Sequence, residues 1–127
     1  MPESISVDEL PFGLVELDGA DTVIYYKHDR EDGADAQAPE LVGRNFFTDV
    51  RPVAEAEGFK NLIRGFRQSH APSRSFSYSF NLGGFVLSVR VLLARIHERS
   101  LNGDRDSVLV HIRKDASQIA PRMGSVR

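Results

Sequence analysis

Between Ser75 and Phe80 the chain alternates strictly, with Phe76, Tyr78 and Phe80 standing between Ser75, Ser77 and Ser79. A period of two puts the rings on one face and the hydroxyls on the other, which makes this segment a strand with one buried side. Just upstream the period changes. Phe59, Leu62, Ile63 and Phe66 recur at i, i+3, i+4 and i+7, with Lys60, Asn61, Arg64 and Arg67 between them, the spacing of a helix with one apolar stripe. The stripe and the aromatic strand face each need cover, and packing one on the other covers both. The chain is therefore committed to a layer of helix on sheet.

The remaining segments fill in that layer. Leu10 to Leu17 and Thr22 to Tyr26 are apolar runs joined by Asp18-Gly19-Ala20-Asp21, the pattern of a β-hairpin. Lys27 to Glu40 is small and acidic, so loop and short helical turns are expected there. Leu41 to Phe47 restores apolar side chains, and Pro52 is expected to stop any regular element near Val53, where a short helix or turn packs on the core. Gly83-Gly84 marks a turn into a strand over Phe85 to His97, and Ser100 to Asp104 a turn into another over Ser107 to Arg113. If the hairpin joins these three strands, the fold is α+β: a five-stranded antiparallel sheet with helices packed on one face. The expected division is an N-terminal segment over residues 1–9, one domain over 10–114 and a flexible tail over 115–127.

Composition removes several kinds of chemistry. With no cysteine among 127 residues there is no disulfide framework, thiolate metal site or cysteine nucleophile. Apolar runs such as Val91-Leu92-Leu93-Ala94 fall far short of the ~20 residues that span a bilayer. The first nine residues carry three acids and no base, the wrong sign for a secretory signal, so a cytoplasmic location without membrane contact is expected. Residues 1–50 hold 12 acids and 3 bases, whereas residues 51–127 hold 6 acids and 13 bases. In a shared sheet these charges offset one another, and no nucleic-acid partner is expected.

The element order resembles the PAS sensory domain, and the wording narrows the resemblance to the photoactive yellow protein branch. Phe12-Gly13-Leu14-Val15-Glu16-Leu17-Asp18-Gly19 is similar to that family's first strand and turn. Val42-Gly43-Arg44-Asn45-Phe46-Phe47-Thr48-Asp49-Val50-Arg51-Pro52 is similar to its Gly-Lys-Asn-Phe-Phe-x-Asp-Val-x-Pro segment, at the same separation without a gap. The similarity runs through Phe59 and Phe76 to Phe80, covering residues 10 to 114. The resemblance implies a p-coumaric acid thioester on a cysteine directly after the Asp-Val-x-Pro segment. Val53 stands there, and a thioester needs sulfur. It also implies a phenolate held by a tyrosine and a glutamate. Tyr26 matches the tyrosine and Arg30, a fixed cation, takes the glutamate's place. The familiar photochemistry is not expected.

Two readings of the cavity stay open. In one, Tyr26, Arg30, Phe46, Val53 and Phe66 line a pocket for a non-covalent ligand, with Arg30 pairing an anion. In the other, Phe46, Phe47, Phe66 and Val53 fill the space and Arg30 points to solvent. His70, just past the longer helix, is a weak candidate for a haem ligand and otherwise serves the helix end. His97 and His111 lie on consecutive strands and could face each other with His28 as a third ligand, but no tight ligand spacing joins them, so all three are read as surface residues without a metal. No nucleophile elbow, phosphate loop or desolvated carboxylate pair appears, so no enzyme is expected. A chain of this size without further domains is expected to act by binding. If Val89, Val91 and Leu93 face the core, Arg90 and Leu92 are exposed with Leu109 and His111 beside them, a patch suited to a homodimer or a signalling partner. The alternative is a small-molecule sensor with no resident cofactor assigned. An isomerase-like cone fold would begin with long helices, and this chain begins with a hairpin.

Overall fold

The computed structural model describes residues 10–28, 40–81, 84, 86–99 and 101–115. Five strands and two helices follow one another: β1 (Gly13–Leu17), β2 (Val23–His28), α1 (Arg51–Ala54), α2 (Glu57–Gln68), β3 (Ser73–Asn81), β4 (Val86–Glu98) and β5 (Arg105–Lys114). They form the five-stranded antiparallel sheet expected from the sequence, in the order β2-β1-β5-β4-β3. The hairpin joins the meander edge to edge: β1 pairs with β5, Val15 lying opposite Val110.

The turn between β1 and β2 is built by its aspartates. Asp18 accepts the backbone N–H groups of Ala20 and Thr22 at 2.8 and 2.9 Å, and Asp21 adopts a positive φ of 68°. Short polar side chains tolerate that left-handed conformation better than any other non-glycine type. The following loop is locked to β2, with Val23 N–H donating to Arg44 O at 2.9 Å and Gly43 N–H to Val23 O at 2.8 Å. Gly43 has φ of 93°, which explains a glycine at this reversal. Asn45 then accepts the Phe47 N–H, while Asp49 accepts that of Asn45. Pro52 differs from expectation. It sits in the first turn of α1 and opens the helix there, because a proline at N1 or N2 removes no intrahelical hydrogen bond.

α2 buries Phe59, Ile63 and Phe66. Phe59 is the hub of an aromatic cluster, its ring 5.0 Å from Phe80, 5.3 Å from Tyr78, 6.2 Å from Phe76 and 6.5 Å from Phe46. The rings of β3 thus meet the helix stripe, and the serine row faces away. Gly58 permits the close approach, since a Cβ there would lie 3.1 Å from the Tyr78 hydroxyl.

Two arginines tie down the C-terminal end of α2. Arg67 donates to Asp18 O at 2.7 Å and pairs with Asp21 at 2.9 Å, joining the helix to the β1–β2 turn. Arg95, projecting from β4, donates to Phe66 O at 2.6 Å, Ser69 O at 2.8 Å and Ala71 O at 3.1 Å, with its guanidinium 4.6 Å from the centroid of Phe66. The last carbonyls of a helix lack intrahelical donors and carry the negative end of its dipole, so a planar cation with several N–H groups suits them. Arg95→Ala is expected to lower stability by about 2 kcal/mol, and Arg95→Lys to recover only part of it, as read by urea unfolding.

Candidate functional site

The candidate residues fall on the two faces of the sheet. On the covered face, Phe46, Val53 and Phe66 are completely buried members of one hydrophobic cluster. Tyr26, partly buried against that cluster, donates its hydroxyl to Phe12 O at 2.9 Å. The register separates these residues. Tyr26 stands on the edge strand opposite Val15, and Val15 faces Val110, which faces Leu93. Phe66 packs under the guanidinium of Arg95 on β4, the fourth strand of that series. Arg30 lies outside the described residues, as do residues 1–9 and 116–127.

His70 is exposed just past Ser69, and the carbonyls it was expected to serve are taken by Arg95. His97 and His111 do not face each other. His97 is opposite Asp106 and contacts it and Asp104, whereas His111 is opposite Leu92 on the other face. His28 is a correction to the surface reading: both ring nitrogens are buried, and neither finds a hydrogen-bond partner among the described residues. Its imidazole packs edge-on to Tyr26 at 6.1 Å. Among the described residues no group of three or more histidine or acidic side chains is placed to hold a metal.

The uncovered face has a definite composition. Val89, Val91 and Leu93 point into the core, so the alternate residues of β4 point out. Leu92 lies between Ser75 and His111, Arg90 between Ser77 and Arg113, and Ala94 beside Leu109. Ser75, Arg90, Leu92, His111 and Arg113 line an open groove of about 220 Å³. Leu92 is 46% exposed. The expected patch of Arg90, Leu92, Leu109 and His111 is thereby brought together, with Leu109 one row from the groove. Arg113 was missed, although the alternation Leu109, His111, Arg113 places it on the same face. Neighbouring acids are engaged elsewhere: Glu16 accepts the Ser107 hydroxyl at 2.6 Å, and Glu98 pairs with Arg105 at 3.5 Å.

The fold and the sequence have counterparts among known proteins. The photoactive yellow protein of Cereibacter sphaeroides is 29% identical over 82 residues, 65% of this chain and 66% of that protein. That of Rhodothalassium salexigens is 26% identical over 98 residues, covering 77% of this chain and 75% of that protein. The photoactive yellow protein domain of the sensor histidine kinase Ppr from Rhodospirillum centenum superposes with a TM-score of 0.51 at 22% identity, covering 80% of this chain and 92% of that one. The chain has a PAS-like fold, and its sequence is similar to photoactive yellow proteins. No protein-family model matches the chain. The matched region spans just under two thirds of the Cereibacter protein's length.

For this PAS-like domain the attached chromophore of its resemblance does not fit. The position that would need a thiol is Val53, whose side chain has no sulfur and is fully buried beside other apolar groups. Val53→Cys tests how closed that region is. The new thiol is expected to react with a water-soluble disulfide reagent at least roughly tenfold more slowly in the folded protein than in urea. His28→Phe is expected to raise stability by about 1 kcal/mol in urea unfolding, because an apolar ring removes two unsatisfied buried nitrogens.

Proposed function

We propose that this PAS-like domain is a signalling module that acts through protein–protein contacts on the uncovered face of its sheet, without covalent p-coumarate photochemistry and without a resident cofactor. The observation that carries the reading is the half-exposed Leu92 of β4, set between Ser75 and His111 with Arg90 and Arg113 in the next row, on the side away from both helices. Leu92, with Ala94 and Leu109 in the next row, gives this face an apolar strip beside its arginines, a composition that suits a partner surface. The protein whose domain shares this fold is a sensor histidine kinase, in which a sensory domain has a signalling partner to address.

A different protein fits this face better than a second copy of the chain. A two-fold contact would set Arg90 and Arg113 against the same patch of the partner subunit, where like charges repel. A second reading, a small-molecule sensor, has one observation in its favour. The unpartnered ring nitrogens of His28 beside Tyr26 could be satisfied by a bound polar molecule.

Two measurements test the proposal in the native host. The purified protein is expected to be colourless above the near ultraviolet and to have the mass of the polypeptide alone. A visible band or excess mass overturns the cofactor-free assignment and favours the sensor. A photo-crosslinking residue at Leu92 is expected to give an adduct of one defined mass above that of two chains or between one and two, while the same residue at Arg64 on α2 gives none. Adducts at Arg64 alone, or at neither position, overturn the interaction reading, and an adduct of twice the chain mass assigns the face to a homodimer.

A further inference from the structure

Arg90 and Arg113 are directly opposite each other on adjacent strands, both exposed, and neither side chain forms an ion pair or hydrogen bond with a described residue. Like charges opposite each other in a sheet are destabilising. His111 lies two residues from Arg113 on the same face. Ser75 and Ser77 supply hydroxyls on the neighbouring strand, opposite Leu92 and Arg90. The described carboxylates on this face are engaged, Glu16 with Ser107 and Glu98 with Arg105. The groove thus presents unneutralised guanidinium groups in an arrangement that costs the isolated domain stability.

The face also has a direction. The Arg90/Arg113 row is followed along the strands by Leu92/His111 and then by Ala94/Leu109. Charge stands at one end and apolar surface at the other. Successive rows on one face are two residues apart, roughly 6.6 Å. A helix rises about 6 Å over four residues, so a helix lying along β4 and β5 can set a carboxylate over the arginines and aliphatic groups four and eight residues later over the next rows.

We infer that the groove of Ser75, Arg90, Leu92, His111 and Arg113 docks an acidic amphipathic helix of a partner protein, its carboxylates on Arg90 and Arg113 and its apolar side on Leu92 and Leu109. The inference rests on the interaction reading above and specifies its partner. Guanidinium groups suit carboxylates because their planar forks donate two parallel hydrogen bonds. The half-exposed Leu92 supplies the apolar contact that a small anion would leave uncovered.

The probe is a fluorescently labelled helical peptide with glutamates at one end of its leucine face, compared with the same peptide carrying lysines instead. In fluorescence polarisation the glutamate peptide is expected to bind the intact protein and to weaken with added salt. R90Q/R113Q is expected to reduce its affinity at least roughly tenfold, and R90E/R113E to bind the lysine peptide instead. R90Q/R113Q is also expected to melt at a higher temperature than the parent, since it removes a repulsion, whereas a structural role for the arginines would lower it. No binding of the glutamate peptide, equal binding of both peptides by the parent, or affinity indifferent to R90Q/R113Q overturns the inference. Repeating the Leu92 crosslink with R90Q/R113Q separates the two proposals. Loss of the adduct supports the acidic partner, an unchanged adduct overturns it while leaving the interaction reading standing, and no adduct in the parent overturns both.

Discussion

The architecture depends on how the end of α2 is held over the sheet. Arg95 reaches from β4 to carbonyls of Phe66, Ser69 and Ala71, and Arg67 reaches from the helix to the β1–β2 turn. Together they fix the helix against strands at both ends of the series, from β4 to the β1–β2 turn. With the helix so held, Phe59, Ile63 and Phe66 have one place to go, and the aromatic row of β3 closes around Phe59. The guanidinium of Arg95 also lies over the Phe66 ring, so the same side chain satisfies polar groups and completes the apolar packing.

Because one face of the sheet is committed to this packing, the two faces have different chemistry. The covered face holds Phe46, Val53 and Phe66 completely buried in the core. The open face keeps its serines, arginines and Leu92 in water. His28 is the exception on the covered side, a buried imidazole whose polar demand the apolar packing leaves unmet.

What could be read from the sequence was what repeats locally. The helix stripe of α2, the alternation of β3 and the turn aspartates between β1 and β2 are each complete within a few residues, and all three were legible. Pro52 was misread because the same proline stops a helix from its interior and starts one from its first turn, and only the chain direction around Val53 decides. Arg95 was invisible because its partners lie 24 to 29 residues away, at a helix end whose position depends on the fold. Arg113 was legible from the alternation Leu109, His111, Arg113, and only its place opposite Arg90 needed the pairing of β4 with β5. His28 looked like a surface residue because it borders an acidic stretch, yet the alternation of β2 turns it inward beside Tyr26.

The order of strands also governs how the chain assembles. β5, the last described strand, occupies the centre of the sheet, and β1 next to it is the first, with Gly13 paired to Ile112. Until β5 exists, the β1–β2 hairpin has no neighbour, and an isolated two-stranded ribbon is marginal in water. The loop that must close to bring β1 onto β5 is nearly the whole domain, so its entropy is paid before the central contacts return anything. During synthesis the β1–β2 hairpin therefore waits for β5, the strand that joins it to β4 and β3.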